Sequence, residues 1–520
     1  MNLPAFATIA TIAGANQGNH PTHFFPDFYP NPPSVTIPVR RGTESKQQKN
    51  LRSKCNESNT PIVDPLISWT SSIARHCQKG RLSTAALDFT RMRLSGIEPN
   101  DVTFVTLLSG CANFPAQAVF LGAVIHGYIL KLGLGKQNVK LGTALIDMYS
   151  KSGQIGPARL CFDHMDFKNK VSWNSLIDGY MRNGKFQEAI DLFDEMPERD
   201  VVSWTALIGG FVKKKRFEEA LEWFQYMQLS VVQPDSVTMV SVLSAVANLG
   251  FLGLGLWLHR YMLAHDFRNN TRVNNSLIDM YCRCGSVDLA RQVFKIMSRR
   301  SLVSWNSIIV GLAMNGYAEE CLDYFNLMQK DGFEPDGVTF TGALTACSHA
   351  GLVNEGLRLF KVMMEVHKIS PRIEHYGCLV DLYSRAGRLE DAIQVVECMP
   401  MKPNEIILGS LLAACRAYGA LSLAERLMNY IYELDSGRDA NHVLLSNLYA
   451  ALGSWHGANN VRKKMKALGI QKRPGISSVE VDCVIHEFVS GDKSHVEAHN
   501  IYRMLELLSH ELRITFCEPA

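Results

Sequence analysis

Beyond residue 65 the apolar positions fall at helical spacing, and the pattern repeats. In 170–200, Trp173, Leu176, Ile177 and Tyr180 stand at i, i+3, i+4 and i+7, one face of a first helix. Gly184 follows, a residue type that accepts the left-handed backbone of a helix end at little cost. Ala189, Leu192, Phe193 and Met196 then stripe a second helix, and the short Ala189 lets a neighbour approach closely. The same glycine-to-alanine spacing recurs at Gly153/Ala158, Gly285/Ala290 and Gly387/Ala392. A lone hairpin of this size cannot bury its stripe, whereas stacked hairpins share a continuous core. The pattern predicts an all-α fold, an α-solenoid of helix-turn-helix units.

Recurring phrases mark the units. Ser-Trp appears at Ser68-Trp69, Ser172-Trp173, Ser203-Trp204 and Ser304-Trp305. Leu-Ile-Asp-Met-Tyr occupies Leu145–Tyr149 and Leu277–Tyr281, with a variant at Leu379–Tyr383. A methionine followed by a polar turn closes units at Met165, Met196, Met227, Met297, Met328 and Met399. Periods of about 31 to 38 residues belong to helical arrays, but do not alone name one.

Composition narrows the class. The chain has 520 residues, 47% of them hydrophobic, which is ample for burial and excludes a mainly disordered protein. Its net charge of +3 creates no chain-wide basic field, so any nucleic-acid partner must be recognised by local chemistry. The 13 cysteines contain no C-x-x-C; the tightest pair is Cys282-Arg-Cys284, and reduced thiols are expected. No uncharged apolar run is long enough to span a membrane, because His126 and Lys131 interrupt Ala118–Leu134.

The segment 1–60 differs from the rest. Met1–Thr43 has Asp27 as its lone acid, many hydroxyl-bearing residues, and arginine only at Arg40-Arg41. It reads as an organellar transit peptide, for chloroplast rather than mitochondrion; an ordinary disordered terminus is the alternative.

The phrase Val-Ser-Trp-Asn/Thr-x-Leu-Ile opening units, with Pro-Asp or Pro-Asn closing several, resembles plant pentatricopeptide repeats of the class that mixes three lengths. The resemblance implies a right-handed α-solenoid of ten repeats over 66–404, divided as 66–100, 101–138, 139–169, 170–200, 201–235, 236–270, 271–301, 302–336, 337–372 and 373–404. Gly409–Arg416 and Asn441–Ala450 look like the extension motifs that follow such arrays, placing that region at 405–473. Pro474–Asp482 through Gly491–His495 resembles the opening of the family's deaminase-like domain, truncated here at 474–520 and carrying Ser478 where that domain usually has Trp. The nearest likeness is to an extension-subgroup factor for chloroplast C-to-U RNA editing. Its partners would be single-stranded organellar RNA, a cytidine deaminase acting in trans and organellar editing-factor proteins.

In helical-repeat readers, two or three side chains per repeat address one base. The resemblance assigns this to the fifth and last residues of each unit. The pairs are Thr70/Asn100, Thr143/Asn169, Asn174/Asp200, Thr205/Asp235, Asn275/Ser301 and Asn306/Asp336. Ile67, Val171, Val202 and Val303, at the second position, would sandwich the base. Threonine leaves room for a purine, while asparagine extends towards a pyrimidine. The competing reading of the same residues is helix capping. The longer units pair Val105/Asn138, Val240/Asn270 and Thr341/Arg372, to which no base is assigned, and Gly377/Asn404 is ambiguous. Running from the 5′ end, the expected target is A, any, A, U, G, any, C or U, U, any, any, then three unread nucleotides and the edited C.

Catalysis is not expected. A zinc cytidine deaminase needs His-x-Glu followed by P-C-x-x-C. His495-Val-Glu497 supplies the first half, but only Cys517 follows it, so neither metal nor cofactor is expected. Gly253-Leu-Gly255 reads as helix packing rather than as part of a dinucleotide loop. Lys213–Arg216 and Arg462–Lys464 are read first as solvated helix faces and second as phosphate contacts. The rival functions are transcript stabilisation or processing, and a protein-binding scaffold of tetratricopeptide type.

Overall fold

The computed structural model describes residues 64–516 apart from 136, 266, 434–438, 452, 468, 470–475, 482–483 and 490–491. The expected transit segment at 1–60 and Cys517 lie outside the described residues. Two compact units divide the chain, with the boundary between Leu192 and Phe193, inside helix Phe186–Glu195.

In the first unit, first helices Pro65–Gln78, Asp101–Asn113, Val139–Lys151 and Lys170–Arg182 each pack on the next. Second helices Leu82–Leu94, Pro115–Lys131 and Ile155–Asp163 fold back against their own first helix. The second unit repeats the plan. Its first helices are Val201–Lys213, Ser236–Leu249, Thr271–Arg283, Leu302–Met314, Gly337–Ala350, Ile373–Arg385, Glu405–Ala417 and Asp439–Ala451, again in contact one after another. The architecture is therefore an α-solenoid of stacked hairpins. One departure from all-α stands beyond it: β1 (Ile476–Val481) pairs antiparallel with β2 (Val484–Val489), ahead of helix Ala498–Phe516.

The apolar stripe seen in the sequence is the core. Leu176, Ile177 and Tyr180 are buried, as are Ala189, Leu192, Phe193 and Met196. Each large apolar side chain among them contributes about 1.5–3 kcal/mol on leaving water. The unit-opening tryptophans seat on the preceding second helix: Trp173 lies edge-on to Phe162 at 4.9 Å, Trp204 to Phe193 at 4.8 Å and Trp305 to Phe294 at 4.9 Å.

Local sequence sets where each helix begins and ends. Four first helices end two residues before a left-handed glycine, with φ of 76° at Gly153, 73° at Gly184, 75° at Gly285 and 73° at Gly387. In the basic run Lys213–Arg216 that conformation falls instead on Lys215, at φ 60°. From Pro65–Gln78 to Glu405–Ala417, every first helix but Ile373–Arg385 begins on a side-chain cap. Second helices mostly do not; Arg81, Gln154 and Arg216 start theirs without one. The residue before several first-helix caps secures the helix end just left behind. Lys168 Nζ donates to Met165 O, and the Arg199 and Arg300 guanidiniums donate to Phe193 O and Phe294 O.

Three mid-helix glycines allow first helices to close on one another. A Cβ on Gly110 would lie 2.8 Å from Cys77 Cβ, one on Gly179 2.8 Å from Ser150 Cβ, and one on Gly311 2.8 Å from Cys282 Cβ. Gly255 likewise abuts Met280, which accounts for Gly253-Leu-Gly255 as packing.

Candidate functional site

The last residue of every unit is the N-cap of the next first helix. Asn100, Asn169, Asp200, Asp235, Ser301, Asp336 and Asn404 each accept a hydrogen bond from the backbone N–H three residues on. Asn138 and Asn270 accept from the second and third N–H groups. At Arg372 the roles change: its own N–H donates to His375 Nδ1, and His375 Nε2 reaches Gly337 O at 2.8 Å. Apart from Arg372, capping therefore occupies one oxygen of each of these last residues.

The fifth residues sit deeper than an open reading face requires. Asn275 is 8% exposed and Asn306 7%, while Thr70, Thr143, Asn174 and Thr205 are partly buried. In three units the fifth and last residues are joined by a third group, the hydroxyl at position three of the following helix. Thr70 Oγ1 lies 2.9 Å from Thr103 Oγ1, which donates to Asn100 Oδ1 at 2.9 Å. Thr205 Oγ1 lies 2.6 Å from Thr238 Oγ1, itself 2.8 Å from Asp235 Oδ1. Asn306 Nδ2 donates to Asp336 Oδ1 at 3.0 Å while its Oδ1 accepts the Thr339 hydroxyl at 2.6 Å. Burial pushes the Asp336 carboxyl up, but the Thr339 N–H and hydroxyl and the Asn306 amide outweigh it and hold the group below the usual carboxylate range.

The other three fifth residues lack such a link. Thr143 Oγ1, Asn174 Oδ1 and Asn275 Oδ1 are buried with no hydrogen-bond partner. An unmade bond of this kind costs about 1–3 kcal/mol. The division follows unit length. The bridged residues belong to units 66–100, 201–235 and 302–336, the unbridged ones to the shorter 139–169, 170–200 and 271–301.

Four second-position residues, Ile67, Val171, Val202 and Val303, are apolar yet 52–59% exposed although each lies in the first turn of a helix whose other face is core. Val102, Val237 and Val338 are exposed in the same way in the long units. The sequence reading passes over them and over the bridging threonines. Both are signalled by Pro99-Asn-Asp-Val-Thr103, Pro234-Asp-Ser-Val-Thr238 and Pro335-Asp-Gly-Val-Thr339, the same phrase three times. In unit 337–372 Thr341 Oγ1 donates to its own helix at Gly337 O, and in unit 373–404 Gly377 offers no side chain.

Elsewhere, Arg216 is held by Glu219 at 2.7 Å and Arg462 by Ser446 Oγ at 3.1 Å. Both ring nitrogens of His495 are engaged, one with His486 Nδ1 at 2.8 Å and one with the Glu497 N–H at 3.0 Å. Among the described residues no three His, Cys, Asp or Glu side chains converge on a metal-sized site, and no helix is long and apolar enough to cross a membrane. The described cysteines are free thiols, most of them buried.

Stacked helical hairpins, four of which (66–100, 170–200, 201–235 and 302–336) carry an exposed aliphatic second residue together with a polar fifth and last residue, define a helical-repeat protein with candidate binding positions set by the repeat. Profiles of the PPR repeat family match residues 66–113, 199–248 and 300–349; the PPR repeat matches 171–201, 275–302, 338–366 and 374–402; and the E motif matches 418–480. A chloroplastic pentatricopeptide repeat-containing protein of Arabidopsis thaliana is 58% identical over 471 residues, covering 90% of this chain and 94% of its own length. Another from the same plant, ELI1, chloroplastic, is 44% identical over 454 residues, covering 87% of this chain and 71% of its own. The chain belongs to the pentatricopeptide repeat family. Its fold is similar to the crystal structure of PPR10 from maize, with a TM-score of 0.56 and 17% identity over 80% of this chain and 60% of that one. A second PPR10 structure, in complex with an 18-nt psaJ RNA element, matches with a TM-score of 0.50 and 19% identity, covering 80% of this chain and 71% of that one.

Proposed function

We propose that this chain is a sequence-specific single-stranded RNA-binding protein that selects sites for C-to-U editing in chloroplasts and recruits a cytidine deaminase in trans. The observation that carries the RNA reading is the coupling of the fifth residue to the following cap in three units whose second residues, Ile67, Val202 and Val303, are exposed and apolar. Exposed Val and Ile flanks suit stacking against a base, and the buried amides and hydroxyls supply edge-specific hydrogen bonds. A protein-binding scaffold gives no reason for that register. PPR10, whose fold this chain resembles, has been crystallised with an 18-nt psaJ RNA element, which supports RNA as the partner. The E motif at 418–480 and the chloroplastic relatives support editing and the plastid over transcript stabilisation elsewhere.

The test is a titration against oligonucleotides of the expected order, varied at one position. Asn306→Thr should move the preference at the nucleotide assigned to Asn306 and Asp336 from U to G, because it recreates the Thr205/Asp235 pair. A good base contact is worth about 1–3 kcal/mol. An unchanged preference would mean that Asn306 only ties two helices together.

A further inference from the structure

We infer that the position-three threonines Thr103, Thr238 and Thr339 are positioning residues that set the base preference of the repeat before them, each by fixing that repeat's fifth side chain. The inference rests on the RNA reading proposed above and extends it to a residue outside each reading pair.

The Asn306 unit shows the chemistry most fully. Its amide is nine-tenths buried, its Oδ1 accepts the Thr339 hydroxyl at 2.6 Å, and its Nδ2 donates to Asp336 Oδ1 at 3.0 Å. The Thr339 hydroxyl also accepts the Asp336 N–H at 3.1 Å and lies 3.0 Å from Asp336 Oδ1, so it is held between the two side chains, with the shorter contact to Asn306 Oδ1. Turning the amide over would set two acceptor oxygens, Asn306 Oδ1 and Asp336 Oδ1, against each other. The group is therefore pinned with its oxygen consumed and its second N–H left to present. A donor edge matches O4 of uracil and clashes with the N4 amine of cytosine.

Asn275 is the comparison within the same chain. The following helix carries Ser304, whose hydroxyl faces Ser301 Oγ at 3.1 Å and accepts the Ser301 N–H at 3.0 Å. No hydroxyl reaches Asn275, and its Oδ1 has no partner. An unpinned amide can offer either edge, so this repeat should accept both U and C where the Asn306 repeat rejects C. The two repeats differ in the last residue as well, Asp336 against Ser301, so Thr339 acts together with Asp336 in making that position selective.

The experiment measures U:C affinity ratios at the Asn306 nucleotide for the full chain. Thr339→Val, which keeps shape and loses the hydroxyl, should lower the ratio about fivefold, the worth of one hydrogen bond. Thr339→Ser should retain the wild-type ratio. Thr238→Val is an independent arm and should erode the preference for G at the Thr205 nucleotide while leaving the Asn306 nucleotide as in wild type. If Thr339→Val keeps the ratio while Asn306→Ala abolishes it, the positioning role is overturned and the reading survives. If Asn306→Ala also leaves the ratio unchanged, the RNA reading itself has failed and takes this inference with it.

Discussion

Asp336 carries two loads at once, closing the first turn of helix Gly337–Ala350 and holding the Asn306 amide of the preceding repeat. Asp336→Ala should cost about 1–2 kcal/mol at neutral pH, from a lost cap together with an amide left unpaired. The pH dependence has a definite sign. The folded carboxyl titrates below the ordinary range, so its stabilisation is complete above about pH 4 and fades as pH falls through the lower folded value. Urea midpoints of wild type and Asp336→Ala should therefore converge as pH falls below about 4. A constant gap across that range would show the charge to be irrelevant. Much of this residue's chemistry was legible in the chain: Pro335-Asp336 announces a helix start, and capping was one reading of it. Thr339 was not legible in the same way. Its partner, Asn306, lies 33 residues away, and only the stacking of one first helix on the next brings the two together.

At the level of the helix, the glycines divide into two kinds. Those ending first helices, such as Gly184 and Gly285, announce themselves because they precede a new apolar stripe and their φ is positive. Gly110, Gly179 and Gly311 lie inside helices, where glycine looks like a propensity defect, and only the neighbouring helix explains them. Gly311→Ala tests this. Propensity alone would stabilise the helix by about 1 kcal/mol, whereas the Cβ would meet Cys282 and overpack a buried seam, costing about 1–3 kcal/mol. Chemical denaturation should give net destabilisation; a gain would mean that the seam is loose. The strand pair Ile476–Val481 and Val484–Val489 escaped an all-helical expectation because its few residues have no repeat to set them in register.

At the scale of the molecule, the array and its extension are not separable bodies. One core runs from Val380 through Ala392 and Ile393, on through Leu408, Leu411 and Leu412, to Leu445 and Val461. A cut after Asn404 would strip helices Glu405–Ala417 and Asp439–Ala451 from that core, whereas a cut after Gly469 would remove only the strand pair and helix Ala498–Phe516. The thermal midpoint should therefore fall for the first truncation and stay near wild type for the second, with RNA affinity following stability in each. If the shorter chain melts as wild type does, the shared core is unimportant. The seams between hairpins bear on how such a chain can change over generations. Asn183 Nδ2 reaches back to Ser150 O at 3.0 Å, Asn315 Nδ2 to Cys282 O at 2.9 Å and Tyr418 OH to Arg385 O at 2.8 Å, each across the same 33 positions. A gene duplication or loss that copies or drops one whole hairpin leaves each such donor facing an equivalent carbonyl, and on the proposed reading changes the recognised message by one letter. A single-codon slip unfastens the joint on both sides. Descent can thus lengthen or shorten the address by whole units while each such joint is kept.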